Sequence, residues 1–325
     1  MAVAQDRTAA GLTAGFAAVA GLGLLLLPDW MMNLTVVALA RGLAVLGLLV
    51  LWRTGLVSFG HALYYGLGAY TVALLGSACG VSEILVTLPA ATVVAASVGL
   101  LVGFVVRRYR EIFFAMLSLA FSMVLYGILV KSEALGSTDG FNVLAPSFLG
   151  YAPDDAAVTL HTIFVLLCLV ACVAALLVHR YLQSTLGSLT TAIRDNEIRV
   201  EYLGFSVARA IHGKYVMSAA LAGLGGGFLA LALGQVDPDS MVNWTVSGEL
   251  VFVTILSGAG GVAAPFVGSM IYELIRTYAF EWLPHAWQLI VGAMLLGIIF
   301  FLPDGLWSLP RRIRRWRGEP GRGPA

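Results

Sequence analysis

The stretch GLVSFGHALYYGLGAYTVALL, residues 55–75, decides how the rest of the chain is read. It is apolar enough to enter a lipid bilayer, yet it carries Ser58, His61, three tyrosines and four glycines. A helix that only had to sit in lipid needs none of them. Polar side chains at membrane depth face the interior of a bundle or a wet cavity, so the segment points to a helical bundle with a polar interior.

The surroundings agree. Of 325 residues, 59% are hydrophobic and 11% are charged, against about 25% charged in an ordinary soluble domain; the mean hydropathy is +0.90. Apolar runs of about 20 residues, enough to cross a bilayer, recur at 11–28, 34–52, 60–79, 84–106, 112–130, 159–178, 214–234, 249–264, 266–283 and 286–303. The expected fold is all-α: a polytopic transmembrane helical bundle of about ten spans. The polar stretches 131–158 and 179–213 are too short for an independent domain. The chain therefore reads as one transmembrane domain, 1–325, with halves 1–150 and 151–310 and a basic tail 311–325. Five spans in each half would set the second upside down relative to the first, the inverted-repeat plan. The glycine-rich spans near 60 and 265 are candidates for broken or re-entrant segments. The first apolar run lacks a small-x-small cleavage site before Asp29 and reads as a retained helix.

Charge placement orients the bundle. Arg107, Arg108 and Arg110 follow the fourth span, and Arg180, Arg194, Arg199, Arg209 and Lys214 surround the loop after the sixth. Arg311 to Arg317 follow the tenth. Ten crossings from a cytoplasmic N-terminus put all three clusters on one side, while Asp139, Asp154, Asp155, Asp237 and Asp239 fall on the other. That is the positive-inside pattern, with both termini cytoplasmic. A net charge of +1 gives no support for nucleic-acid binding.

Gly66, Ala69, Ala73 and Gly76 make one small-residue helix face, and Ser218, Ala219, Ala222, Gly223, Gly226 and Gly227 make another. Such faces let helices approach closely in lipid; Gly66, Ala69, Ala73, Gly223 and Gly227 are therefore assigned to packing. Ser58, His61 and Tyr64 are candidates for the lining of a translocation path, with a helix cap as the structural alternative for His61. Ser118 and Ser122, four apart on one face, join them, although serine also bonds back to its own helix. Arg41 lies well inside the second span, where a charge costs about 2.5–3.5 kcal/mol on the insertion scale; it must snorkel, find an acid or line a cavity. Glu273 and Arg276 can pair three apart, and no matched acid-and-base set is evident among the spans. Cys79, Cys168 and Cys172 all fall in apolar runs, and Cys168 and Cys172, four apart with no His or acid at ligand spacing, read as buried small hydrophobes with no metal site. Catalytic constellations are missing: Leu56 breaks a G-x-S-x-G elbow around Ser58, and Gly213-Lys214 is followed by tyrosine, so there is no phosphate-binding loop. If a nucleoside triphosphate powers this protein, another chain hydrolyses it.

Between the sixth and seventh spans lies TTAIRDNEIRVEYLGFSVARAIHGKY, residues 190–215. Its first half can be helical, with Asp195 and Arg199 as an i,i+4 pair and Gly204 as the stop. It reads either as a solvated connector or as a docking segment.

Together these residues carry a resemblance. The chain resembles the permease subunits of ABC importers for branched-chain amino acids, of the LivM type. The similarity rests on Ser58, Gly60 and His61 followed by Gly66, Gly68, Ala69 and Tyr70; REIFFAMLSLAFSM (110–123) with GSTDG (136–140); AIRDNEIRVEYLG (192–204) leading to KYVMSAALAGLGGG (214–227); and SGELVFVTILSGAGG (247–261), PFVGS (265–269) and FLPDGL (301–306). Departures at Trp52 to Gly55 and at Ala264-Pro265 bear on substrate rather than class. The resemblance implies a subunit of the bacterial inner membrane that works beside a related permease or a homologous copy, two cytoplasmic ATPases and a periplasmic solute-binding protein. It implies no cofactor on this chain, with ATP used by the partners. It also implies that Arg194, Asp195, Glu197, Arg199, Glu201 and Gly204 form the segment coupled to the ATPase. Urea, short amides and aromatic acids are alternative cargoes. A stand-alone transporter or channel would need a self-contained relay, which His61, Arg41 and Glu273 do not make in sequence, and a membrane scaffold would not need the ordered polar motifs.

Overall fold

A computed structural model describes residues 2–153, 155–302 and 305–308; Asp154 and the basic tail 311–325 lie outside the described residues. In the first half the helices are α1 (Ala2–Leu26), α2 (Asp29–Arg53), α3 (His61–Cys79), α4 (Ile84–Val106) and α5 (Glu111–Lys131). In the second they are α6 (Ala156–Gln183), α7 (Thr185–Asp195), α8 (Glu197–Tyr202), α9 (Val207–Leu233), α10 (Pro238–Met241), α11 (Trp244–Ser257), α12 (Ala264–Trp282) and α13 (Trp287–Phe301). Two-residue strands, β1 (Phe141–Asn142) and β2 (Gln235–Val236), complete the described structure beside short 3-10 turns. This is the all-α polytopic bundle read from the sequence.

Seven helices, α1 to α6 and α9, are long and apolar enough to cross a membrane. Of the last three expected spans, 266–283 and 286–303 match α12 and α13 within two residues but fall outside this set of seven, and only 249–264 is displaced. The run 249–264 is not one helix: α11 has 14 residues and stops at Ser257, about 21 Å at 1.5 Å per residue against a hydrocarbon core of about 30 Å. Gly258, at φ +79°, ends it. Helix α12 is 19 residues long but carries Glu273, Arg276 and Glu281, and α13 has 15 residues.

Helix ends follow local chemistry. The Asp155 carboxylate accepts from the Ala157 N–H to start α6, and the Ser206 hydroxyl accepts from Arg209 to start α9. These contacts satisfy backbone donors that the first turn leaves free.

Helix α9 forms the centre, with α2, α3 and α4 packed around it. Its small residues make this possible. A Cβ at Gly68 would collide with the Gly223 carbonyl, and one at Gly226 with the Tyr65 carbonyl. Without a hydrophobic drive between helices in lipid, such backbone approach supplies the dispersion contacts that hold the bundle. Ala69 and Ala73 are fully buried on α3, while Gly66 lies against Val242 and Gly227 against Leu88 and Val72.

At the end of the bundle that carries residues 131–158, β1 pairs antiparallel with β2, Phe141 opposite Val236 and Asn142 opposite Gln235. Glu83, just before α4, accepts from the Leu149 N–H (2.7 Å), the Gly150 N–H (3.0 Å) and the Ser147 hydroxyl (3.1 Å). Three donors to one carboxylate hold it below the usual carboxylate range, because each favours the charged form. The connection between α5 and α6 thus folds back over the helix ends and is fixed there.

Candidate functional site

The glycine-rich stretch behaves unlike an ordinary loop and span. Helix α3 does not begin at the end of the bundle. Its N-cap, Gly60, packs against the Ser118 carbonyl, seven residues and about 10 Å into α5. The non-helical segment before it is interior: Thr54, Leu56 and Ser58 are buried. Helix α11 also begins inside, since Val242, two residues before it, packs on Gly66, and the Ser247 hydroxyl accepts from the Ala62 N–H at 3.0 Å. Irregular backbone at membrane depth is tolerated only within protein or along a cavity. Two helix N-termini therefore meet inside the bundle.

His61 sits at this junction, fully buried. Its Nδ1 lies 2.9 Å from the Ser58 hydroxyl and its Nε2 2.6 Å from the Ser218 hydroxyl on α9. The Tyr64 hydroxyl donates to the Tyr215 hydroxyl at 2.9 Å, and both tyrosine rings stand edge-on to the His61 ring, with centroids 5.8 and 6.4 Å away. Ser58, His61, Tyr64, Tyr215 and Ser218 thus form one buried, connected polar network. Ser118 and Ser122 are buried nearby; the Ser118 hydroxyl donates to the Ala115 carbonyl at 2.8 Å and that of Ser122 to the Val242 carbonyl at 3.4 Å. Sequence reasoning missed Tyr215 as a partner and assigned Ser218 to a packing face. Its position four residues before Ala222 on that face conceals the hydroxyl's second role.

The second polar centre selects one of the alternatives read for Arg41, an acid partner, and corrects the reading that the spans hold no matched acid-and-base set. Arg41 does not snorkel. It is 7% exposed and reaches Glu273 at 2.6 Å and Glu249 at 3.2 Å. Its guanidinium lies 5.0 Å from the Tyr272 ring centroid, and Arg276 stands 3.8 Å from Glu273 on the side away from Arg41's contact atom. A matched acid-and-base set therefore exists among the spans, assembled from α2, α11 and α12. The Tyr65 hydroxyl is buried and has no hydrogen-bond partner among the described residues.

The third feature is the segment between α6 and α9. It breaks at Asn196, whose side chain accepts from the Arg199 N–H and starts α8. Asp195 closes α7 and Arg199 belongs to α8, so the expected i,i+4 pair on one helix does not form. Gly204 stops α8 at φ +86°, donating its N–H to the Glu201 carbonyl at 2.9 Å. Glu197 pairs with Arg110 at 2.5 Å, and Arg110 also donates to the Arg107 and Tyr109 carbonyls. The segment is thereby bound to the turn between α4 and α5. On the free side of α8, Ile198, Tyr202 and Leu203 are 64%, 86% and 75% exposed. Lys214, grouped with the loop charges in sequence, lies inside α9 and is fully buried.

With this geometry in place, comparison with known proteins is informative. A family model described as "Branched-chain amino acid transport system / permease component" matches residues 30–299. The chain is 27% identical over 304 residues to the high-affinity branched-chain amino acid transport system permease protein LivM of Salmonella typhimurium, covering 86% of this chain and 69% of that one. It is 27% identical over 286 residues to LivM of Escherichia coli K12, covering 81% and 66%. The chain spans about two thirds of the length of these curated relatives. No solved structure matches it.

Proposed function

The chain belongs to the branched-chain amino acid transport system permease family, and from that premise we propose that it is the membrane-spanning permease subunit of an ATP-driven ABC importer. Its cargo is a branched-chain amino acid, the cargo in its relatives' names. It lies in the bacterial cytoplasmic membrane with both termini in the cytoplasm and pairs with a second related permease or a homologous copy. Two separate ATPase subunits hydrolyse the ATP, a periplasmic solute-binding protein delivers the cargo, and residues 1–150 and 151–310 are the two halves of the moving domain.

The observation that carries this reading is the mount and tip of α8. An exposed apolar tip of Ile198, Tyr202 and Leu203 on a short charged helix is a surface that a groove in another protein covers. Arg194, Asp195, Glu197, Arg199 and Glu201 around it give an oriented, steered encounter. The Arg110–Glu197 pair and the buried Ile193 and Val200 give the segment a purchase on the bundle, so a push on α8 is transmitted to α5. Inside, the junction of α3 and α11 is the proposed path. Helix N-termini offer backbone N–H groups to a carboxylate there, and Ser58, His61, Tyr64, Ser118 and Ser122 supply neutral hydrogen-bonding groups that a zwitterion exchanges without tight binding.

The test uses the complete importer in proteoliposomes. Valine at 204 cannot comfortably adopt the φ +86° of Gly204 and misplaces the segment. Gly204→Val is expected to reach the membrane, leave ATP hydrolysis running and abolish most leucine uptake. Normal uptake by that variant would make the segment a mere connector.

A further inference from the structure

A cavity and a groove that the transport reading does not use run into one another along α1. The cavity, of about 500 Å³, is lined at one end of the bundle by Thr8, Arg53, His179, Gln183, the 260–263 loop and Trp307. The groove, of about 560 Å³, follows α1 between α2 and α12, past Gly15, Phe16, Val19, Leu39, Phe266 and Met270. Both include Gly11, Leu12 and Ala263, so one has a polar mouth and the other an apolar extension.

The mouth favours a negative charge. Among the described residues no acidic side chain lines it. The Arg53 guanidinium donates through Nη2 to the Ala259 carbonyl at 2.5 Å, while its buried Nε–H has no partner among the described residues. Helix α12 starts at the same place; its Ala264 N–H is bonded to the Gly261 carbonyl at 3.2 Å and Pro265 has none, so it contributes the positive end of its dipole beside the cavity. His179 Nε2 is held by Thr8 Oγ1 at 3.0 Å and Gln183 Nε2 at 2.9 Å. Trp307 packs on Gly260 and Gly261 and is a residue type suited to headgroup level.

The groove favours an acyl chain. Gly11 and Gly15 open space instead of admitting a neighbour, since a Cβ at either meets nothing. From Gly11 to Leu27 the groove runs about 24 Å along α1, more than the roughly 15 Å of one leaflet. A molecule with an anionic head and an apolar tail matches both parts. We propose that this cleft binds one anionic phospholipid, its phosphodiester at Arg53 and the start of α12, one acyl chain between α1 and α12.

Native mass spectrometry of the purified full-length chain, titrated with phosphatidylglycerol, phosphatidylcholine or inorganic phosphate, tests this. Phosphatidylglycerol should be retained about fivefold more tightly than phosphatidylcholine, the effect of about one cationic contact. Arg53→Gln should remove that preference. Gly15→Leu, whose Cβ meets nothing and whose branched end enters the groove, should weaken retention of both lipids. If Arg53→Gln fails to fold, His179→Ala combined with Gln183→Ala should reduce the preference at an unchanged melting temperature. Equal retention of the two lipids, a preference that survives Arg53→Gln, or full displacement of phosphatidylglycerol by millimolar inorganic phosphate would each overturn the proposal.

Discussion

Replacing Arg41 by methionine should be among the most destabilising single changes in this chain. Arg41 is 7% exposed, and its partners Glu273 and Glu249 lie at 2.6 and 3.2 Å with side chains 6% and 18% exposed. Methionine keeps much of the volume and removes the charge, leaving two carboxylates inside the bundle with only Arg276, at 3.8 Å, to offset one of them. Stranding a buried charge in this way costs about 3–5 kcal/mol. At roughly 2–4 °C per kcal/mol for chains of this order of size, the melting temperature should fall by about 10 °C. Fluorescence-detected size-exclusion chromatography after a heat ramp reads this directly. Glu249 makes the longer and wetter of Arg41's two contacts, so Glu249→Gln should cost the least of the three single changes. Combining Arg41→Met with Glu249→Gln and Glu273→Gln removes every charge of the triad and should recover most of the loss. A triple variant as unstable as Arg41→Met alone would refute charge compensation and leave packing of the arginine stem as the cause.

Three further outcomes are expected. Acid should loosen the segment around Leu149 and Gly150. Glu83 is held below the usual carboxylate range by their N–H groups, so its contribution is full above the ordinary carboxylate pKa and is lost as pH falls through the lowered one; hydrogen exchange at these two amides should accelerate below about pH 4, and Glu83→Gln should abolish that dependence. His61→Ala and Ser58→Ala each leave buried groups of one network unpaired, at about 1–3 kcal/mol apiece. If the network lines the path, uptake per assembled importer should fall further than thermal stability predicts, and wild-type transport by both variants would confine the network to packing. In a background lacking Cys79, Cys168 and Cys172, an impermeant thiol reagent on intact cells should label a cysteine at 139 and not one at 195; the reverse pattern would invert the proposed orientation.

Much of the bundle was legible because hydrophobic length is written locally. The boundaries read for 84–106 coincide with α4, and those for 34–52, 60–79 and 112–130 fall within a few residues of α2, α3 and α5. Composition failed where helices end without a change in polarity. Residues 258–264, GAGGVAA, are as apolar as what precedes them, so hydropathy carried the eighth span past the stop at Gly258. It also clipped α9, whose first turns, Val207 to Gly213, are polar yet helical. The interior of the candidate site was half visible: Ser58, His61 and Tyr64 stand out as polar residues in an apolar run, but Ser218 and Tyr215 lie more than 150 residues away and no spacing announces them. The Arg41 cluster was hidden for the same reason. Periodicity reports neighbours on one helix, and these ion pairs join three.

The buried ion pairs also set a schedule. Arg41 leaves the ribosome more than 200 residues before Glu249 and Glu273; at about 5–20 residues per second, some 10–45 s pass before either carboxylate exists. Throughout that interval α2 carries a guanidinium at its midpoint, where the insertion cost is about 2.5–3.5 kcal/mol. Until its partners are made, the helix has to stay beside the insertion machinery or another protein surface instead of dispersing into lipid. Chains interrupted before residue 249 are thus marked by an unpaired charge at mid-bilayer, a signal that quality-control proteases can act on long before a completed chain could fail.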